Sequence, residues 1–199
     1  ESDKQYIILC GSNARKLKRN QANLLGGRAW KYKLLPLTSK ELGNKFDITK
    51  ALNKGLIPDH YFEEDHYRSI KSYVEDYLKE EIQAEAITRN IAAFSRFLDS
   101  TAFSNGELLN YTNIASKVGI DAKTVKQYYS ILQDTNIGIL LEPYKIHRKR
   151  QIIIEMPKFY FFDIGVANYL SGNRELFMGT SAWGRSFEHF ILMELYAFN

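Results

Sequence analysis

The chain has 199 residues, 45% hydrophobic and 25% charged, a soluble globular balance that leaves room for one to two domains, each with its own core. A net charge of +4 and a pI near 9.0 permit contact with phosphates without requiring it. The single cysteine, Cys10, excludes an intramolecular disulfide framework and a multi-cysteine zinc site; no run reaches membrane-spanning length and no signal peptide opens the chain, so a cytoplasmic location with no membrane partner is expected.

In chain order, residues 6–10 (YIILC) form a continuous apolar run that empties into Gly11-Ser12-Asn13, as a buried parallel strand does at its carboxyl edge. Residues 14–25 (ARKLKRNQANLL) are helical in propensity and basic on one side, ending at Gly26-Gly27 with Arg28 beyond. Residues 29–37 (AWKYKLLPL) alternate as a second strand broken at Pro36, and Thr38 or Ser39 then caps a short helix carrying Glu41 and Leu42. Strand, helix, glycine pair and strand make a βαβ-type fragment. Residues 44–65 are turn-rich, with apolar positions too scattered to assign.

From 66 to 100 the spacing predicts helix, through Ile70, Tyr73, Val74, Tyr77, Leu78, Ile82, Ile87, Ile91, Phe94, Phe97 and Leu98. Asn105-Gly106 predicts a turn. Residues 111–135 (YTNIASKVGIDAKTVKQYYSILQDT) then fit the helix-turn-helix spacing throughout. Ile114, Val118, Ile120, Val125 and Tyr128 stand where two crossed helices need apolar side chains, and Ala115 is small where they approach. Gly119 occupies the turn, where a positive φ is needed and a side chain would clash. Asp121 can cap the second helix, leaving Lys123, Thr124, Lys126 and Gln127 on its outer face as candidate DNA contacts.

Residues 137–144 (IGILLEPY) and 151–163 (QIIIEMPKFYFFD) predict a β-hairpin, the wing of a winged helix. Its tip carries Lys145, His147, Arg148, Lys149 and Arg150, of which Lys145, Arg148, Lys149 and Arg150 join the candidate DNA contacts. The recognition face lacks arginine, the commonest base reader, and Asp121 and Asp134 offset its lysines, so phosphate contacts with weak sequence preference are expected. Residues 163–170 (DIGVANYL) predict a short helix, and an amphipathic helix closes the chain. That helix stops without a cap and the chain opens on Glu1, so both ends read as cut from a longer polypeptide.

His60 and His66 flank Glu63, Glu64 and Asp65, but their spacing does not set both on one helix face; a solvated polar surface is expected and no metal site. His189 directly follows Glu188 and points away from it. No GxSxG and no cysteine–histidine arrangement supplies a nucleophile.

The order of these segments, with YLKEEIQAEAITRNIAAFSRFL before the helix-turn-helix and PKFYFFDIGVANYL and GRSFEHFILMEL after it, resembles a group of prokaryotic AAA-type P-loop ATPases. Their C-terminal half is a domain of unknown function in which a winged helix leads into a restriction-endonuclease-like fold. The resemblance covers nearly the whole chain. It implies that 1–42 are the last strands of an α/β ATPase core, 43–104 a helical lid or connector, 105–162 the winged helix-turn-helix and 163–199 the start of the nuclease-like domain. No GxxxxGK(S/T) occurs, so this chain alone is expected to lack ATPase activity, with ATP and magnesium bound only by the full-length parent.

By the same resemblance Ser12 or Asn13 supplies the polar sensor facing the γ-phosphate, although Cys10 stands where threonine is common. Arg28 resembles an arginine finger, whose planar fork stabilises charge on the transferring phosphoryl oxygens; the alternative is an ordinary ion pair near the sheet edge. Glu188 matches the first acidic residue of the nuclease-like fold better than Glu194 does, with the later acidic residues lying beyond Asn199. The implied function is that of an ATP-driven switch whose winged helix contacts DNA, with other ATPase subunits as further partners. A nucleotide-independent DNA-binding regulator and a protein-interaction module with degenerate sites are the alternatives.

Overall fold

The structure, a computed structural model, describes residues 8, 30, 32–78, 90–144 and 156–198. Residues 32–38 form no regular element, and the strand expected over 29–37 is absent there. A strand needs a hydrogen-bonded neighbour, and none of the described residues runs alongside; Pro36 has no N–H to offer one. Trp30, Tyr32 and Leu34 stand exposed, and Leu37 N–H donates to the Leu56 carbonyl at 2.8 Å.

Helix α1 (Ser39–Leu42) begins at a complete capping box. The Glu41 amide donates to Thr38 Oγ1 at 3.2 Å, and the Thr38 amide donates to the Glu41 carboxylate at 2.8 Å. The stretch 44–65 folds into α2 (Ile48–Lys54), capped by Asp47 and stopped at Gly55 with φ 79°, and α3 (Pro58–Phe62), which starts on proline. Helices of seven and five residues show too few turns to declare a period. Helix α4 (His66–Ser72) follows and continues as π-helical turns over Tyr73–Leu78.

Three helices then pack together: α5 (Ile91–Phe103), α6 (Tyr111–Val118) and α7 (Ala122–Asp134). Phe94, Phe97 and Leu98 of α5 share one core with Ile114 and Val118 of α6 and with Val125, Tyr129 and Leu132 of α7. The packing therefore runs unbroken across residue 105, since α5 is the first helix of this unit. Ile91, which fits the helical spacing, is exposed. Strands β1 (Gly138–Leu141) and β2 (Lys158–Phe161) pair antiparallel, with Gly138 opposite Phe161 and Leu141 opposite Lys158. The other edge of β2 is met by the segment after α5: Gly106 N–H donates to Phe159 O at 2.8 Å and Leu109 N–H to Pro157 O at 2.9 Å. Phe159 and Phe161 belong to the three-helix core and lie edge-on to each other, and Phe159 is also edge-on to Tyr129.

Helix α8 (Ile164–Leu170), capped by Asp163, links this core to a smaller one formed by Leu42, Leu52, Leu56, Tyr61, Leu176 and Phe190. Val166 and Ala167 face the larger core and Ile164 the smaller. At Gly165 a Cβ would run into the Lys54 carbonyl, so glycine lets the end of α2 lie directly on α8. Helix α9 (Ser181–Phe198) closes the described chain. No helix among the described residues is long and apolar enough to cross a membrane.

Candidate nucleic-acid interface

The geometry around Gly119 is built from its neighbours. Asn110 caps α6, accepting from the Asn113 amide at 3.0 Å. The helix ends because Gly119 turns left-handed, with φ 75° and ψ 41°, and its N–H and that of Ile120 both donate to the Ala115 carbonyl. The expected steric clash is not found: a Cβ at Gly119 would meet nothing within 4 Å, so the positive φ alone favours glycine there. Asp121 then caps α7, accepting from the Thr124 amide at 2.9 Å. Ile114, Ala115, Val118, Val125 and Tyr128 are buried and Ile120 is half-buried against the same core.

That burial fixes which side of α7 faces outward. Lys123, Lys126 and Gln127 are exposed, together with Ser130, which the helix-turn-helix spacing does not single out. Thr124 is half-buried, and its hydroxyl donates to Asp121 Oδ2 at 2.6 Å. The two bonds from Thr124, hydroxyl first, hold the Asp121 carboxyl below its ordinary range. Lys126 leans off the face, its Nζ 5.3 Å from the centre of the Tyr111 ring at the start of α6. Burial, and to a lesser degree Glu142, push the Tyr111 hydroxyl up, so an acidic group from the end of β1 stands near this edge. Arg96 of α5 donates from Nε to the Val118 carbonyl at 3.3 Å and so finishes α6 instead of joining the cationic face. Lys145, Arg148, Lys149 and Arg150 of the hairpin tip lie outside the described residues, as do Ser12, Asn13 and Arg28.

The remaining candidates from the sequence take structural positions. Glu188 accepts from Lys158 Nζ at 2.7 Å and from the Tyr160 hydroxyl at 2.6 Å, and these two bonds lower its pKa. Glu194 accepts from the amide and hydroxyl of Ser39, at 2.8 and 2.6 Å, tying α9 to the first turn of α1. No group of three or more metal-ligating side chains occurs among the described residues.

Glu63, Glu64 and Asp65 are exposed and His66 half-buried, as a solvated surface requires, and His60 alone departs from that expectation. His60 is only 2% exposed, edge-on to Tyr73, and its Nδ1 has no hydrogen-bond partner among the described residues. Burial lowers its pKa, opposed by Asp163, whose own fully buried carboxyl is raised by desolvation. Asp163 accepts from the amides of Leu56 at 2.7 Å and Val166 at 3.1 Å, so it serves as the α8 cap and as a link to the α2–α3 turn. His189 does point away from Glu188, into the protein. Its Nε2 lies 2.7 Å from the Phe161 carbonyl and its Nδ1 3.2 Å from the Asn105 amide nitrogen.

Against known proteins, residues 45–176 match the family described as Domain of unknown function (DUF8612). That match spans well over half of the sequence, and the chain belongs to this family. No curated protein and no solved structure matches it.

Proposed function

We propose that this member of the family is the effector part of an ATP-driven switch, in which residues 91–161 act as a winged helix-turn-helix that docks α7 on duplex DNA. The observation that carries the reading is the outward face of α7. A left-handed glycine and a capped helix start present Lys123 and Gln127 on a helix whose opposite side is wholly buried. The pairing of β2 with β1 on one edge and with residues 106–109 on the other supports a wing beside that helix. The expected tip cations Lys145, Arg148, Lys149 and Arg150 would extend the contact along phosphates. A cytoplasmic location is part of this reading.

The nucleotide half of the proposal rests on the resemblance alone. In it, Ser12 or Asn13 senses the γ-phosphate and Arg28 acts as the finger, within one subunit or across to a neighbouring one. ATP and magnesium belong to the full-length parent. Arg28→Ala in that parent is expected to keep nucleotide affinity while hydrolysis falls by a large factor, because the finger meets charge that grows in the transition state.

The DNA contact is tested with fluorescein-labelled random duplexes and the 199-residue chain, by anisotropy across a salt series. Each neutralised phosphate contributes a slope of about −0.9 in log K against log salt. Lys126→Ala should flatten the slope by roughly one contact, and replacing Arg148, Lys149 and Arg150 together should flatten it further. Absence of salt-dependent binding removes the reading. A second reading, protein contact, is favoured by one observation: Phe187, Ile191, Leu195 and Phe198 form an exposed apolar stripe along α9.

A further inference from the structure

The four side chains expected to face DNA from α7 are not equivalent, and their surroundings divide the work among them. On a helix, residues four and three apart lie above one another, so Lys123, Gln127 and Ser130 form one straight stripe. All three are exposed. The stripe runs directly opposite Val125, Tyr129 and Leu132, which are buried at 0–1% exposure. It is therefore the line of α7 that would lie deepest in a groove.

The other two residues sit at the margins. Thr124 flanks the stripe on the side of Tyr128 and Ile131, both buried, and its hydroxyl proton is held by Asp121. Donating that hydroxyl to a base would give up its bond to Asp121 Oδ2. Lys126 flanks the other side and is drawn over the Tyr111 ring, towards the preceding helix and away from the axis of the stripe. A cation so placed meets the wall of a groove, where the phosphates are, before its floor.

We infer that sequence preference in DNA is carried by the stripe Lys123–Gln127–Ser130, with Gln127 as its principal reader, while Lys126 contacts phosphate and Thr124 reads nothing. This rests on the DNA-binding reading above. Gln127 is the central member and the only one whose side chain both donates and accepts in a flat fork. That geometry matches N6 and N7 of adenine in the major groove, so the preferred site has an A·T pair at the position it faces.

The test is selection from a randomised 24-base-pair duplex pool by the 199-residue chain, followed by anisotropy on the selected duplex and on its single-base variants at several salt concentrations. Wild-type protein should enrich a short motif containing a fixed A·T pair. Gln127→Ala should lose discrimination at that pair by about 5- to 100-fold, with the salt slope unchanged. Lys126→Ala should weaken every duplex equally and reduce the slope by about one unit. Retained discrimination in Gln127→Ala, or an altered motif in Lys126→Ala, overturns the inference while leaving DNA binding intact. So does salt-dependent binding without any enriched motif. A protein that binds no duplex at all overturns this inference and the reading beneath it together.

Discussion

Acidification should unfold this protein in part through His189, and the size of the effect can be worked from its surroundings. The ring is fully buried between the Phe161 carbonyl, 2.7 Å from Nε2, and the Asn105 side-chain amide, 3.2 Å from Nδ1. A carbonyl only accepts, so Nε2 carries the hydrogen and Nδ1 is the bare nitrogen that accepts from Asn105. The Asn105 oxygen in turn accepts from the Phe161 amide at 2.9 Å, which leaves the neutral ring satisfied. A proton added at Nδ1 would face the Asn105 donor. Burial accordingly depresses the pKa to about 4 from 6.5, against weaker opposing pulls from the Phe161 carbonyl and Glu188.

Between these two values the unfolded chain takes up a proton that the folded chain refuses. Stability is therefore full above pH 6.5 and falls as the pH drops towards 4, by up to about 1.4 kcal/mol per pH unit and roughly 3 kcal/mol in all. The assay is urea denaturation followed by circular dichroism from pH 7.5 to 4.5, comparing wild type with His189→Gln. Glutamine can still donate to the Phe161 carbonyl but does not titrate. The variant should be less stable at pH 7.5 by about 1–3 kcal/mol, because Asn105 loses its acceptor, and its stability should decline less steeply by close to one proton. Subtracting the two curves removes the shared acid response of His60, which burial also lowers. Parallel curves would refute the argument.

Three further outcomes follow from the packing. Gly55→Ala should destabilise by about 3 kcal/mol in urea melts, since φ is 79° there and a Cβ would press on the buried Asp163 carboxylate; an unchanged midpoint would mean that Asp163 can move aside. Phe97→Ala should cost about 4 kcal/mol, while Phe103→Ala in the same helix, 68% exposed, should shift the thermal midpoint little. Glu194→Ala should speed amide exchange at Ser39 and Leu42 more than in α7, because it removes the carboxylate that ties α1 to α9.

The sequence by itself determined the elements whose signals are local. Asp121 sits beside the amides it caps, and Gly119 ends α6 through bonds to Ala115, four residues back. The same holds for the short helix that starts after Thr38, the helix that follows Asp163 and the strands on either side of the hairpin tip. The helical period also marked Phe94, Phe97, Val125 and Tyr128 as core, because burial on a helix repeats with its own turn. Only the tertiary structure decided the rest. It brought His189 to Asn105 across 84 residues, Glu194 to Ser39 across 155 and Asp163 to Leu56 across 107. It buried His60 in a segment with no readable period, and it left Ile91 exposed although its spacing fits the helix. It also divided the face of α7, giving the Thr124 hydroxyl to Asp121 and drawing Lys126 to Tyr111. Spacing along the chain fixes which side of a helix a residue occupies; which other surface that side meets depends on how distant elements share one core.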